Sequence, residues 1–255
     1  MRTLIQDLRY GLRTLLKSPG FTLVAILTLA MGIGANTAIF SLIDGILMRG
    51  LPVQDAQHLV VLRWSARKAP DIHGQSSYGD CGSRKGESSG CSLSMPFFND
   101  VASHVSAFSS VAAFAYAGQI DLSGNGTASV LRAQAVSGKF FPLLGVRAAA
   151  GRLIAPSDDS ISSPPVVVLN DSYWKREFGG SPSAIGKTVR LNNVPFTIIG
   201  VADPRFDSLS PGRVYDVWVP LSVLPQINPH PWVKARATGY LQLVAGGHRS
   251  AEARR

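Results

Sequence analysis

From Phe21 to Ile43 the chain carries no charged residue, and no other stretch narrows its folding options as much. About 23 residues rising 1.5 Å each make a helix of roughly 34 Å, enough to cross a hydrocarbon core of about 30 Å. A cleaved leader is the competing reading, but 20 residues ahead of an apolar run of this length are wrong for one, and no small-residue cleavage site follows. Arg2, Arg9, Arg13 and Lys17 precede the segment, against Arg49 and then Arg63 beyond it. That excess places the N-terminus in the cytoplasm and everything after Arg49 outside it.

The residues before the span form a second pattern. Leu4, Ile5, Leu8, Leu12, Leu15 and Leu16 fall on one arc of a helical wheel, with Arg9, Arg13 and Lys17 side by side on the next. Residues 1–20 therefore read as a cytoplasmic amphipathic helix lying on the membrane surface, its basic side chains facing anionic lipid headgroups. Ser18-Pro19-Gly20 reads as a break before the span, a continuous kinked helix being the alternative. The transmembrane helix and its outer boundary occupy residues 21–48. Within it Ala30, Gly34 and Ala38 recur every four residues, and Thr37, Ser41 and Gly45 lie on the same third of the surface. Such a face lets another helix approach closely, but small residues are also simply common in membrane helices, and both readings stand. Asp44 is read as a residue of the outer boundary.

A formal net charge of +9 over 255 residues raises the question of a nucleic-acid partner. The basic residues concentrate at the two ends, and the middle has no cluster of Lys or Arg interleaved with stacking aromatics, so nucleic acid is not an expected partner.

Beyond the span, residues 58–64 read as a strand, and residues 74–94 as a long loop rich in Gly and Ser. That loop holds both cysteines, Cys81 and Cys91; in an oxidising compartment two thiols closing a short loop can pair. No histidine spacing suggests a metal site. Met95 to Val105 predicts a helix with Phe97, Phe98, Val101 and Val105 on one side. Strands are predicted over 111–120, 128–136, 165–169, 187–191, 194–201 and 214–219, with short helices over 138–144 and from Asp171, as N-cap, to Phe178. Asn192-Asn193 joins two of those strands as a tight hairpin turn. The fold class is α+β.

No catalytic constellation and no cofactor site emerges. The segment from Gly180 to Thr188 approaches a phosphate-binding loop, but five residues separate its glycines instead of four, and a strand pattern follows rather than a helix. Asp158-Asp159, in a Ser-rich loop flanked by prolines, reads as a solvated turn rather than an acid–base pair.

The order of features resembles a known family. Asp7-Leu8-Arg9-Tyr10-Gly11-Leu12-Arg13 and the segment from Leu29 to Ser41 closely resemble the start of MacB/FtsX-like ABC transporter permeases, in particular the bacterial duplicated-permease branch. Phe140 to Val146 with Gly151-Arg152, and Ile185-Gly186-Lys187 with Phe196 to Val201, look like motifs of that family's periplasmic core domain, taken here as residues 49–245. The resemblance implies a porter-like α/β lobe with a smaller β-containing lobe. It also implies a non-catalytic inner-membrane subunit coupling a separate cytoplasmic ABC ATPase to periplasmic movements, in contact with other permease helices or a second permease copy. Family permeases continue into three further spans, absent from this sequence, and residues 246–255 read as an atypical basic tail; a truncated or frame-shifted product is the expectation. A single-span anchored binding or sensor module is the alternative function.

Overall fold

A computed structural model describes residues 6, 13, 16–43, 53–68, 88–123, 129–210, 212–229 and 238–247. The chain divides into two units, Met1–Gly50 and Leu51–Arg255.

In the first unit, helix α1 runs Pro19–Ile43, beginning two residues before the expected span. Ser-Pro-Gly opens this helix: the Ser18 carbonyl accepts from Thr22 N at 3.0 Å, while Pro19 and Gly20 form the first turn. Proline suits that position because its missing N–H would have no intrahelical partner. Only Ser18 interrupts helical geometry, between residues 16–17 and α1.

The second unit is built on one nine-stranded sheet. Its strands are β1 (Leu59–Val61), β4 (Phe108–Ser123), β5 (Ser129–Val136), β6 (Ala148–Gly151), β7 (Val166–Leu169), β8 (Thr188–Leu191), β9 (Val194–Ala202), β10 (Val217–Pro220) and β11 (Gln242–Gly247). The short strands β2 (Trp64–Ala66) and β3 (Ser88–Gly90) pair separately. Helix α1 is followed by the α-helices α2 (Met95–His104), α3 (Phe140–Leu144), α4 (Asp171–Phe178) and α5 (Leu224–Ile227).

The sheet order β1-β11-β4-β5-β10-β7-β9-β6 is supplemented by β8, which pairs with both β9 and the far end of β4. The strands β4, β5, β10, β7, β9 and β8 thus form a closed circuit of pairings. Only β5–β10 and β7–β9 are parallel.

Apolar residues cover both faces. Val167, Leu169, Val217 and Val219 enter one core, while Val166, Val168 and Trp218 enter the other, as the two-residue side-chain period of a strand requires. This explains the unbroken apolar run 166–169, buried throughout.

Two of the sheet's register shifts keep the first of these cores continuous. Between Tyr116 and Gly118 strand β4 gains a residue against β5, with Gly118 at φ 103°. The inward set accordingly changes parity, from Ala113, Ala115 and Ala117 to Ile120 and Leu122, all in the same core. Strand β9 does likewise at Gly200, passing from Phe196 and Ile198 to Val201.

Several expectations are refined. Asn170, not Asp171, caps α4, its side chain accepting from Ser172 N at 2.8 Å; Asp171 is the first helical residue. In α2 only Val101 is buried, whereas Phe97 and the residue after the helix, Val105, are exposed. The Asn192-Asn193 turn has φ 47° and 66°, the left-handed pair that matches strand twist. Strand β11 extends to Gly247, two residues into the segment read from sequence as a tail.

Candidate functional site

Helix α1 is continuous, so Ala30, Gly34 and Ala38 fall on one face with Thr37 and Ser41 beside them; Gly45 lies outside the described residues. A Cβ added at Gly34 would meet nothing within 4 Å. Thr37 Oγ1 donates to the Ile33 carbonyl at 2.8 Å, leaving an already satisfied hydroxyl on that face. The window Pro19–Ser41 has a mean hydropathy of 2.0 and no burial, and among the described residues it is the one helix long and apolar enough to cross a membrane. Arg13 and Lys17 are exposed, while Arg9 lies outside the described residues.

In the domain, the segment Phe140 to Val146 is a packing device. Phe140, Phe141 and Leu144 project from α3 into one core, which ends at Gly145 with φ 64°. Phe141 meets Trp218 at 5.9 Å and Phe206 at 6.0 Å, both edge-on, an arrangement favoured by the ring quadrupoles. The Trp218 indole donates to Gln134 Oε1 at 2.9 Å. Gly151 and Gly200 face each other across β6 and β9: a Cβ on Gly151 would strike the Ile199 carbonyl, and one on Gly200 the Arg152 carbonyl.

Asp158 and Asp159 do not form a solvated turn. Asp158 is buried and takes both guanidinium nitrogens of Arg152, at 2.6 and 2.9 Å, together with the Ala155 N–H at 2.9 Å. Burial would raise its pKa, but the hydrogen bonds from Arg152 and Ala155 and the charge of Arg152 outweigh it, holding the carboxyl below its ordinary value. Asp159 accepts from Gly138 N at 3.0 Å and Ser222 N at 2.8 Å, tying the entrance of α3 to the 3-10 turn after β10. Both carboxylates are spent on internal partners. The sequence offered one signal for this, an arginine six residues before an aspartate, but nothing in it named Gly138 or Ser222 as partners.

The near-miss phosphate loop is confirmed as a lead into a strand: Gly186 has φ 88°, its N–H donates to Ile198 O at 2.8 Å, and β8 follows. Among the described residues no group of three or more His, Cys, Asp or Glu could hold a metal ion.

The described residues line two surface clefts of note. One, of about 330 Å³, is mainly apolar and lies between residues 62–66 and 92–94, with Phe97 and Gly239. The other, of about 370 Å³, is polar and contains Arg147, Asp203 and Arg205. There Arg205 grips Asp203 by its guanidinium and backbone N–H, lowering that carboxyl to about 2. Cys91 is half-buried beside the first cleft and is disulfide-bonded; Cys81 lies outside the described residues.

Among the described residues, one helix long and apolar enough to cross a membrane accompanies a mixed α/β domain built on a two-sided sheet. The chain belongs to the MacB-like periplasmic core domain family, whose profile matches residues 22–252. It is 27% identical over 85 residues to the macrolide export ATP-binding/permease protein MacB of Burkholderia thailandensis, covering 33% of this chain and 13% of that protein. With the protein of the same name from Hahella chejuensis it shares 32% identity over 88 residues, covering 34% of this chain and 13% of the relative. The chain thus matches a small part of those proteins' length. The crystal structure of the periplasmic region of MacB from Actinobacillus actinomycetemcomitans aligns with a TM-score of 0.50 at 20% identity, over 63% of this chain and 67% of that one. That likeness concerns the fold, and agrees with the α+β class expected from the sequence.

Proposed function

We propose that this chain is a permease-type membrane subunit of an ATP-driven export or mechanotransmission complex, in which a cytoplasmic ABC ATPase drives movements that helices carry to a periplasmic domain. The observation that carries this reading is the extent of the family match, from within α1 to beyond β11. That match takes in both the apolar helix and the domain. The names of the relatives link export, ATP binding and permease in single proteins.

In this reading the chain itself is not catalytic. Its N-terminus lies in the cytoplasm, as the basic residues ahead of α1 support. Arg9, Arg13 and Lys17 contact lipid headgroups. The face of Ala30, Gly34, Thr37, Ala38, Ser41 and Gly45 packs on another permease helix or a second copy.

The test is purification of the tagged full chain from mildly solubilised bacterial membranes. Recovery of an ABC ATPase by mass spectrometry, lost with Gly34→Leu while the domain's circular dichroism is unchanged, is the expected result. A monomer that brings down no ATPase would overturn the reading and favour an anchored binding or sensor module.

A further inference from the structure

The polar cleft holds more hydrogen-bond donors than the protein uses. Arg147 immediately precedes β6 and Asp203 immediately follows β9, and Asp203 N donates to Arg147 O at 3.0 Å. As cross-strand neighbours the two residues share a face of the sheet. The Asp203 carboxylate is nevertheless taken by Arg205: Oδ1 accepts from the Arg205 backbone N and Nε, both at 2.9 Å, and Oδ2 accepts from Nη2 at 2.8 Å. Arg147 acts on Asp203 through its charge, and among the described residues its guanidinium has no hydrogen-bonded acceptor. Nη1 of Arg205 is likewise uncommitted, and so is the Gln54 side-chain amide, which lies where a Cβ on Gly145 would strike it.

The backbone behind these donors is fixed. Gln54 N donates to Leu144 O at 2.9 Å and Phe206 N to Asp203 O at 2.9 Å, while Val53 and Val146 pack on the core that receives α3. Such a wall loses little freedom when a ligand arrives.

We propose that this cleft is a docking site for an acidic peptide segment of a partner protein, whose Glu or Asp carboxylate pairs with Arg147 and with Nη1 of Arg205. Two arginines and one aspartate leave the cleft one positive charge, which a single carboxylate balances. A phosphate monoester would bring a second negative charge against Asp203. An exposed ion pair is weak by itself, so a free carboxylate gains little here. A peptide uses what else the cleft offers: the Gln54 amide matches a main-chain amide, and Val53 and Val146 cover side-chain methylenes. The volume of about 370 Å³ leaves room for the residues on either side of the carboxylate.

Hexaglutamate is the probe, added at low ionic strength to the full chain in detergent micelles. Hydrogen exchange read by mass spectrometry separates the cleft from the basic residues at the chain ends. Exchange over residues 144–147 and 203–206 is expected to slow by about threefold or more, and hexaglutamine to have no effect. Arg147→Gln is expected to abolish the protection without moving the melting temperature of the domain, and Gln54→Ala to reduce it. No slowing with hexaglutamate, equal slowing with hexaglutamine, or slowing that persists in Arg147→Gln would each overturn the proposal. So would equal protection by acetate at the same carboxylate concentration, the mark of a site for free carboxylates, or by phosphatidylglycerol in the micelles, the mark of a site for a lipid phosphodiester.

Discussion

Arg152 and Asp158 meet fork to fork, Nη1 and Nη2 of the guanidinium lying 2.6 and 2.9 Å from the two carboxylate oxygens. The arginine side chain is 54% exposed and the aspartate 10%, so the carboxylate is the end whose hydrogen bonds matter most. Replacing Asp158 by Ala removes the guanidinium's partner and leaves the Ala155 N–H without its acceptor. The expected loss is about 1–3 kcal/mol, tempered by solvent around the arginine. Chemical denaturation of the full chain measures it, and Arg152→Lys, which cannot form the fork, is expected to lie between wild type and Asp158→Ala.

Acid stability follows from two carboxylates. Asp203 is held at about 2 against an ordinary 3.8, first by the side-chain hydrogen bond from Arg205, and Asp158 is also lowered. A lowered folded-state pKa means that the unfolded chain binds more protons in this range. The stabilisation is therefore complete above the unfolded value and is lost as pH falls from about 4 through the folded value. Melting temperature measured from pH 5 to pH 2 is expected to fall, and Asp203→Asn is expected to flatten part of that descent. A descent of the same slope in the variant would contradict it.

Gly200 lies where β6 and β9 come closest, and a methyl there meets the Arg152 carbonyl and, at 2.7 and 2.8 Å, Arg152 N and Ala150 O. All three are backbone atoms and none can rotate away. Gly200→Ala is expected to cost about 3 kcal/mol, visible as loss of soluble, cooperatively unfolding domain. Gly179→Ala serves as the contrast: its methyl meets nothing within 4 Å, and its cost is limited to the strain of φ 61°, about 1 kcal/mol.

The two residues of the β8–β9 turn are not equivalent. Asn192 Oδ1 accepts from Asp121 N at 2.9 Å, and its Nδ2 donates to Ile227 O at 2.8 Å, tying the turn to β4 and to α5. Asn193 contributes chiefly its left-handed backbone. Asn192→Gly is expected to destabilise by about 1–3 kcal/mol through the lost side-chain bonds, whereas Asn193→Gly stays within about 1 kcal/mol of wild type. Urea unfolding of the two variants side by side decides it.

Gly34→Leu is expected to leave the melting temperature of the domain unchanged, since nothing lies within 4 Å of the added carbon. If the small-residue face of α1 packs on a second helix, the same change lowers cross-linking between chains or to a partner in native membranes. Equal cross-linking in the variant would remove that face from the interface.

Local chemistry determined much of this protein. The uncharged stretch after Arg13 and Lys17 predicts the membrane helix, because length, hydropathy and flanking charge are all properties of a linear segment. The Asn192-Asn193 hairpin and most strands were equally legible, since turn preference and apolar alternation act within a few residues. The α4 cap was misplaced by a single residue, because Asn170 and Asp171 are both good caps and only the backbone turn distinguishes them.

What the sequence could not convey is which distant groups meet. The inward parity of β4 changes at Gly118 and that of β9 at Gly200, and such a shift exists only relative to a paired strand. Asp158 and Asp159 look like a solvated loop until Arg152, Gly138 and Ser222 are brought around them. Asp159 is engaged by backbone N–H groups at the entrance of α3 and in the turn after β10, which are 21 and 63 residues away in the chain. The tertiary structure also decided that β8 closes the circuit between β9 and β4, because hydrogen-bond pairing across 69 residues, as between Leu122 and Leu191, is a property of the assembled sheet alone.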